Sequence, residues 1–296
     1  MGGAPSGDED VTKKTVTIEA VTPSGALLGE GPSWHDVAEC LYWVDIRRGE
    51  VHRYRAGAGD SVLATLGVPV GAAVPRERGG LLLAAGMGFA VLRESGEITW
   101  LATVDAGDRM NDGKCDPRGR FFAGTLTHDR RPTAALYRLD VDGGVEMVLG
   151  GLAVSNGLGW SPEGDRFYHI DTPTRRVDVF DYDLDRGSLA NRRTFVDLEN
   201  APGNPDGLTL DSEGGVWVVL CRGSSVRRFT PEGALDCVID LPVTRATSCT
   251  FGGADLYVTT GTFDLSSEEL AHQPLAGAVL RCRPGVDGPP AVAFRG

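Results

Sequence analysis

Long apolar runs are absent from this chain of 296 residues. No stretch approaches the ~18 consecutive apolar residues of a membrane-spanning helix, so a membrane partner is excluded. The N-terminus, from Met1 to Asp10, is small, polar and acidic with no apolar core, which argues against a secretory signal. Lysine is nearly missing: three of the 29 basic residues are lysine, and only Lys114 lies outside the N-terminal region. With a net charge of -12 the chain lacks the basic surface a phosphate backbone requires, so nucleic acid is excluded as a partner. The six cysteines (Cys40, Cys115, Cys221, Cys237, Cys249, Cys282) show no CxxC spacing, which removes a zinc knuckle and a small disulfide framework. Reduced thiols in a cytoplasmic protein are the reading that remains. No G-x-S-x-G elbow accompanies a Ser/His/Asp set, so a serine hydrolase is set aside. Helical periodicity is missing too, and 266–271 is the only stretch that reads as a helix.

What the chain has instead is turns. It carries 41 glycines and 17 prolines. Between them lie runs of roughly four to eight residues rich in β-branched and aromatic side chains, as at 40–45, 81–85, 167–171 and 215–220, and these read as strands. Asp/Gly signals at 116–119, 161–165, 211–215 and 231–233 join neighbouring strands as hairpins. Residues 1–14 read as a disordered tail. Residues 15–296 read as one domain, ample for a sizeable core.

These turns recur with a period. A side chain followed by Gly at a strand start falls at Glu30, Val70, Asp112, Asn156 and Asp206, and a sixth position without Gly falls near Thr247. The steps are roughly 40 to 50 residues, each with room for four strands, which predicts an all-β fold: a six-bladed β-propeller with four-stranded blades. The strand at 15–22 precedes the first blade and is expected to close the ring. A β-sandwich has no reason to repeat one polar-Gly turn at a matching register.

The register has a chemical consequence. The first strand of each propeller blade lines the central channel, so Glu30, Asp112, Asn156 and Asp206 converge at one mouth. Carboxylates placed together repel and are costly to bury. A divalent cation resolves this, and oxygen-only donors suit Ca²⁺, Mg²⁺ or Mn²⁺; no histidine sits on the register, which weakens a Zn²⁺ site without removing it. The following glycines are expected to turn the backbone sharply and keep the mouth open. Of the other candidates, Lys114 is expected to pair Asp112 or Asp116, Cys115 and Cys249 to pack in strands, and His169 to line the channel or sit satisfied in the core.

The segments LGEGPSW at 28–34, LYWVDI at 41–46, RMNDGKCDPRGRFFAGT at 109–125, SNGLGWSP at 155–162, PDGLTLD at 205–211, TSCTFGG at 247–253 and QPLAG at 273–277 resemble the gluconolactonase, regucalcin and senescence-marker proteins. That resemblance spans nearly the whole chain. It implies metal ligands at Glu30, Asn156 and Asp206, which leaves Asp112 one step outside them. It implies substrate contacts at Arg109 and Asn111, with an acidic contact at Asp129 in a loop that departs from the commoner pattern. It also implies hydrolysis of a sugar lactone to the aldonic acid with one divalent metal ion. Asp206 is then the candidate general base and Asp112 the second choice. The rival readings are a calcium-binding regulatory protein without catalysis and a metal-dependent esterase or organophosphate hydrolase on the same propeller. Monomer and dimer both stay open.

Overall fold

The computed structural model describes residues 12–296, and within them six antiparallel sheets stand around one axis as the blades of a propeller. Blade I spans 29–65, II 70–103, III 109–152, IV 155–197, V 204–240 and VI 246–282. Their inner strands are Gly29–His35, Val70–Pro75, Arg109–Cys115, Ser155–Trp160, Asn204–Leu210 and Ala246–Gly252. Each is followed by an antiparallel meander running outwards. Middle strands such as Leu81–Ala85 are buried throughout, because blades cover both of their faces, whereas the outer strand Gly59–Thr65 is largely exposed. The one α-helix among the described residues, Ser267–His272, begins with a capping box between Ser266 and Glu269.

The ring closes through the N-terminus. Glu19–Ala20 pairs antiparallel with Leu280–Cys282 as the outermost strand of blade VI. The expected disordered tail falls mostly on residues 1–11, which lie outside the described residues. Its inner end is not a tail: Thr12–Lys13 pairs in parallel with Leu235–Asp240 of blade V, and Lys14 N–H donates to Val238 O at 3.0 Å.

Two hairpin turns are pinned by buried aspartates. Asp116 Oδ1 accepts the backbone N–H groups of Arg118 and Arg120, while Oδ2 takes Arg120 Nε at 2.7 Å and Tyr182 Oη at 2.5 Å. Asp211 repeats the plan with the N–H groups of Glu213 and Gly215, then Trp217 Nε1 and Arg228 Nε. Satisfying both oxygens makes burial of these carboxylates tolerable. Asp116 is thereby committed to structure.

The Asp112–Gly113 signal does not open its strand but lies within it: Arg109–Cys115 is the inner strand of blade III. In every blade the pairing of the inner strand slips at the predicted register. The slips fall between Glu30 and Ser33, Val70 and Ala72, Met110 and Gly113, Ser155 and Leu158, Pro205 and Leu208, and Ala246 and Cys249. A bulge interrupts the alternation of side chains and re-aims them. Of the register glycines only Gly31 takes a left-handed backbone (φ +51°), as a sharp turn requires; elsewhere the glycines answer to close approach. A Cβ on Gly71 would meet Asn111 O at 2.2 Å, one on Gly157 would meet Asp206 O at 2.7 Å, and one on Gly207 would meet the Ser248 Cα at 2.5 Å. Neighbouring inner strands touch backbone to backbone around the axis.

The chain ends as a strap across the opposite face. Gly288 N–H donates to Gly253 O, Ala291 N–H to Asp36 Oδ2, Phe294 N–H to Pro75 O and Arg295 N–H to Gly119 O. Phe294 is buried in the apolar layer between blades II and III.

If backbone contact dictates these glycines, Gly157→Ala is expected to lower stability by about 1–3 kcal/mol through overpacking. Gly67→Ala, at an exposed site with nothing within 4 Å, stays within ~0.5 kcal/mol. Urea unfolding of the two variants makes the comparison.

Candidate metal centre

The bulges bring together what alternation would separate. Asn111 and Asp112 are consecutive, and a regular strand would send them to opposite faces. Both fall inside the blade III bulge and both are buried, each 6% exposed. Asn156 lies inside the blade IV bulge and Glu30 borders the one in blade I, both with the same exposure. Asp206 in blade V is half-buried as a residue, where Glu30, Asp112 and Asn156 are buried. Blades II and VI add no charge. Val70 is apolar, and Thr247 Oγ1 instead donates to Gly29 O, tying blade VI to blade I.

Hydrogen bonds hold a polar chain across the mouth. Arg109 Nη1 donates to Met110 O and to Asn111 Oδ1, each at 2.8 Å. Asn111 Nδ2 donates to Ser155 O at 2.8 Å and to Asn156 Oδ1 at 3.0 Å. Asn156 Nδ2 donates to Thr172 Oγ1, which in turn donates to Pro205 O. That chain fixes the orientation of the Asn156 amide, whose Oδ1 accepts one hydrogen bond and keeps a second lone pair. Ser155 Oγ lies 2.9 Å from His169 Nε2, and burial pushes the His169 pKa down to about 3. His169 is thus a neutral core residue.

The electrostatics show charge left uncompensated. Burial raises the Glu30 pKa well above its ordinary value, and Asp206 and Asp112 push it further, against the Gly31 N–H and Arg109. Burial and Asp112 raise Asp206 to about 7, against Arg245, the neighbouring Cys221 thiol and Arg109. Asp112 is raised chiefly by burial, with Lys114 and the Gly113 N–H opposing. Arg109 is itself lowered to about 10 by burial, with Glu30 opposing. The nearby cations do not balance the buried carboxylates, which is the condition a divalent ion relieves. Among the described residues no three His, Cys, Asp or Glu side chains form a metal-binding group. A cation at this mouth therefore needs the neutral oxygen of Asn156 beside Glu30 and Asp206, and a mixed carboxylate–amide set is what hard ions accept.

Other candidates fall elsewhere. Asp129 lies on the surface and pairs with Arg131. Lys114 pairs neither Asp116, which Arg120 occupies, nor Asp112; its Nζ donates to Leu208 O at 2.9 Å. All six cysteines are free and buried. Two contributors had no sequence signal. Cys221 reaches Asp206 because it pairs with Asn204 across blade V, and Thr172 reaches Asn156 from a turn after the second strand of blade IV.

The sign of the carboxyl shifts sets a pH dependence. Groups raised on folding cost stability as pH climbs from their unfolded values through about 7, where Asp206 ionises. A divalent ion removes that cost. The gain in melting temperature on adding Ca²⁺ to chelator-treated protein is expected to be larger at pH 8 than at pH 5. An equal gain at both pH values, by differential scanning fluorimetry, contradicts it.

Comparison with known proteins places the whole chain. The family model described as "SMP-30/Gluconolactonase/LRE-like region" matches residues 28–262. Regucalcin of Gallus gallus is 38% identical over 297 residues, covering 95% of this chain and 99% of the relative. A luciferin-regenerating enzyme superposes with a TM-score of 0.87 at 28% identity, over 95% of this chain and 100% of that one. A calcium-binding regucalcin of Agrobacterium tumefaciens has the same fold, with a TM-score of 0.89 at 23% identity over 95% and 98% of the two chains. No helix among the described residues is long and apolar enough to cross a membrane. The coverage and identity of these matches establish that the chain belongs to the SMP-30/gluconolactonase/LRE-like family.

Proposed function

We propose that this protein is a divalent-metal-dependent lactonase that opens a sugar lactone to its aldonic acid. One observation carries the reading: buried, uncompensated carboxylates share a channel mouth with an Arg109–Asn111 pair. A purely calcium-binding role, favoured by the names of the regucalcin relatives, needs the carboxylates but gives no reason to bury a guanidinium between them.

Glu30, Asn156 and Asp206 would hold the cation, with Asp112 placed to steady them from outside. When bound, the ion supplies positive charge to offset the negative charge that develops on a lactone carbonyl oxygen. Arg109 offers N–H donors to ring hydroxyls from Nε and Nη2. Asn111, its amide hydrogens held by Ser155 O and Asn156 Oδ1, can accept from a ring hydroxyl at Oδ1 and holds Arg109 in place, so that the pair fixes the orientation of the ring. Asp206 takes a proton from the attacking water at its free Oδ. The acyl C–O bond of the ring breaks, and its oxygen leaves as the new hydroxyl after taking up a proton.

Asp206→Ala is expected to abolish both metal binding and turnover, read by calorimetric metal titration and by acid release from gluconolactone, galactonolactone, xylonolactone and arabinonolactone. Full activity in that variant sinks the mechanism, and no acid release across the panel favours the calcium-binding reading. Arg109→Met should lower kcat/KM by about 10- to 100-fold, equivalent to losing ~1.5–3 kcal/mol from a charged hydrogen bond. Asp129→Ala should stay within about twofold of the parent, since its partner is Arg131 on the surface.

A further inference from the structure

The axial channel has a second mouth. All six inner strands run the same way, so the residues that follow the bulges line the channel's far half. There they enclose a cavity of about 260 Å³ under the C-terminal strap, with Pro289 and Pro290 among its walls. Its other walls are mostly apolar, with Trp34, Val74 and Leu210 beside the hydroxyls of Ser33, Ser161, Thr209 and Thr250. One lining residue carries a charge, Lys114, and no carboxylate lines the cavity.

Lys114 is held in an unusual way. It projects from the blade III inner strand, deep in the channel, yet retains accessible surface, and that surface faces the cavity. Its ammonium has three donors. Among the described residues it makes one hydrogen bond, to the Leu208 carbonyl, and no ion pair. Its nearest counter-charge, Asp112, lies on the other side and beyond ion-pair distance, so the ammonium keeps donors that an anion arriving from the cavity can take. The aromatic and proline walls select for a flat apolar body behind the anionic group.

We propose that this far cavity is a second ligand site, separate from the carboxylate mouth, which takes a small aromatic carboxylic acid with its carboxylate on Lys114 and its ring against Trp34 and the Pro289–Pro290 wall. The site is independent of the lactonase reading, because none of its walls belongs to the proposed metal centre.

The test uses 2-naphthoate and its neutral isostere 2-naphthamide, titrated calorimetrically into the metal-loaded protein. The expected result is saturable one-to-one binding, with naphthoate at least about tenfold tighter than naphthamide, the preference one charge-assisted hydrogen bond supports. Lys114→Met should erase the preference, and Trp34→Ala should weaken both ligands. If Lys114→Met fails to fold, Thr250→Trp serves instead: it fills the cavity, and binding of both ligands should vanish at an unchanged melting temperature. The titration is repeated after chelation of the metal. Naphthoate binding that disappears with the metal puts the carboxylate at the other mouth and overturns the proposal. Absence of saturable binding overturns it too, as does a preference that survives Lys114→Met.

Discussion

Backbone contact between neighbouring inner strands is the constraint on which the rest of this molecule depends. Six strands crowd one axis so closely that Gly71, Gly157 and Gly207 have no room for a Cβ. Everything outside that ring is ordinary sheet packing, with aromatic side chains such as Phe122, Trp160, Phe167 and Tyr182 filling the wedge between blades. The ring itself admits no such filler. Its closure needs a cross-link instead, supplied by the Thr247 hydroxyl on the Gly29 carbonyl and by the N-terminal strand on the rim of blade VI.

Crowding at the axis also explains where the chemistry sits. Each inner strand slips its pairing at the same depth, which frees one or two residues from alternation. In blades III, IV and V those residues include Asn111 with Asp112, Asn156 and Asp206, and in blade I Glu30 is the last paired residue before the slip. Fold and site therefore share one device. The bulges that relieve strand crowding also turn polar side chains onto the axis, where burial raises the carboxyl pKa values and makes a cation welcome.

Lys114 divides the channel into two chemically distinct halves. Above it lie the carboxylates and the Arg109–Asn111 pair; below it lie rings, prolines and no acid. The same residue opposes the Asp112 shift from below and turns accessible surface to the far cavity. A propeller axis is usually treated as a single opening, and here side-chain chemistry makes it two.

Much of this was readable in the chain. The period of the polar-Gly signals identified six blades, because repeated units must stack to bury their faces, and equal register in each blade means equal depth in the channel. That logic located Glu30, Asp112, Asn156 and Asp206 without coordinates. The reason for the glycines was not readable, since Gly157 is defined by the Asp206 carbonyl of the next blade, far from it in sequence. Nor was the partner of Lys114. Local charge pointed to Asp112 or Asp116, whereas the fold gave Asp116 to Arg120 and left Lys114 a carbonyl from blade V. The placing of Cys221 beside Asp206 and Thr172 beside Asn156, the strap that roofs the far cavity, and the surface position of Asp129 likewise depend on which strands lie side by side. By itself the sequence determined the repeat, the register and the donor types, because these follow from local pattern and spacing. The tertiary structure alone decided which donors face one another, because those contacts join residues that only the closed ring brings together.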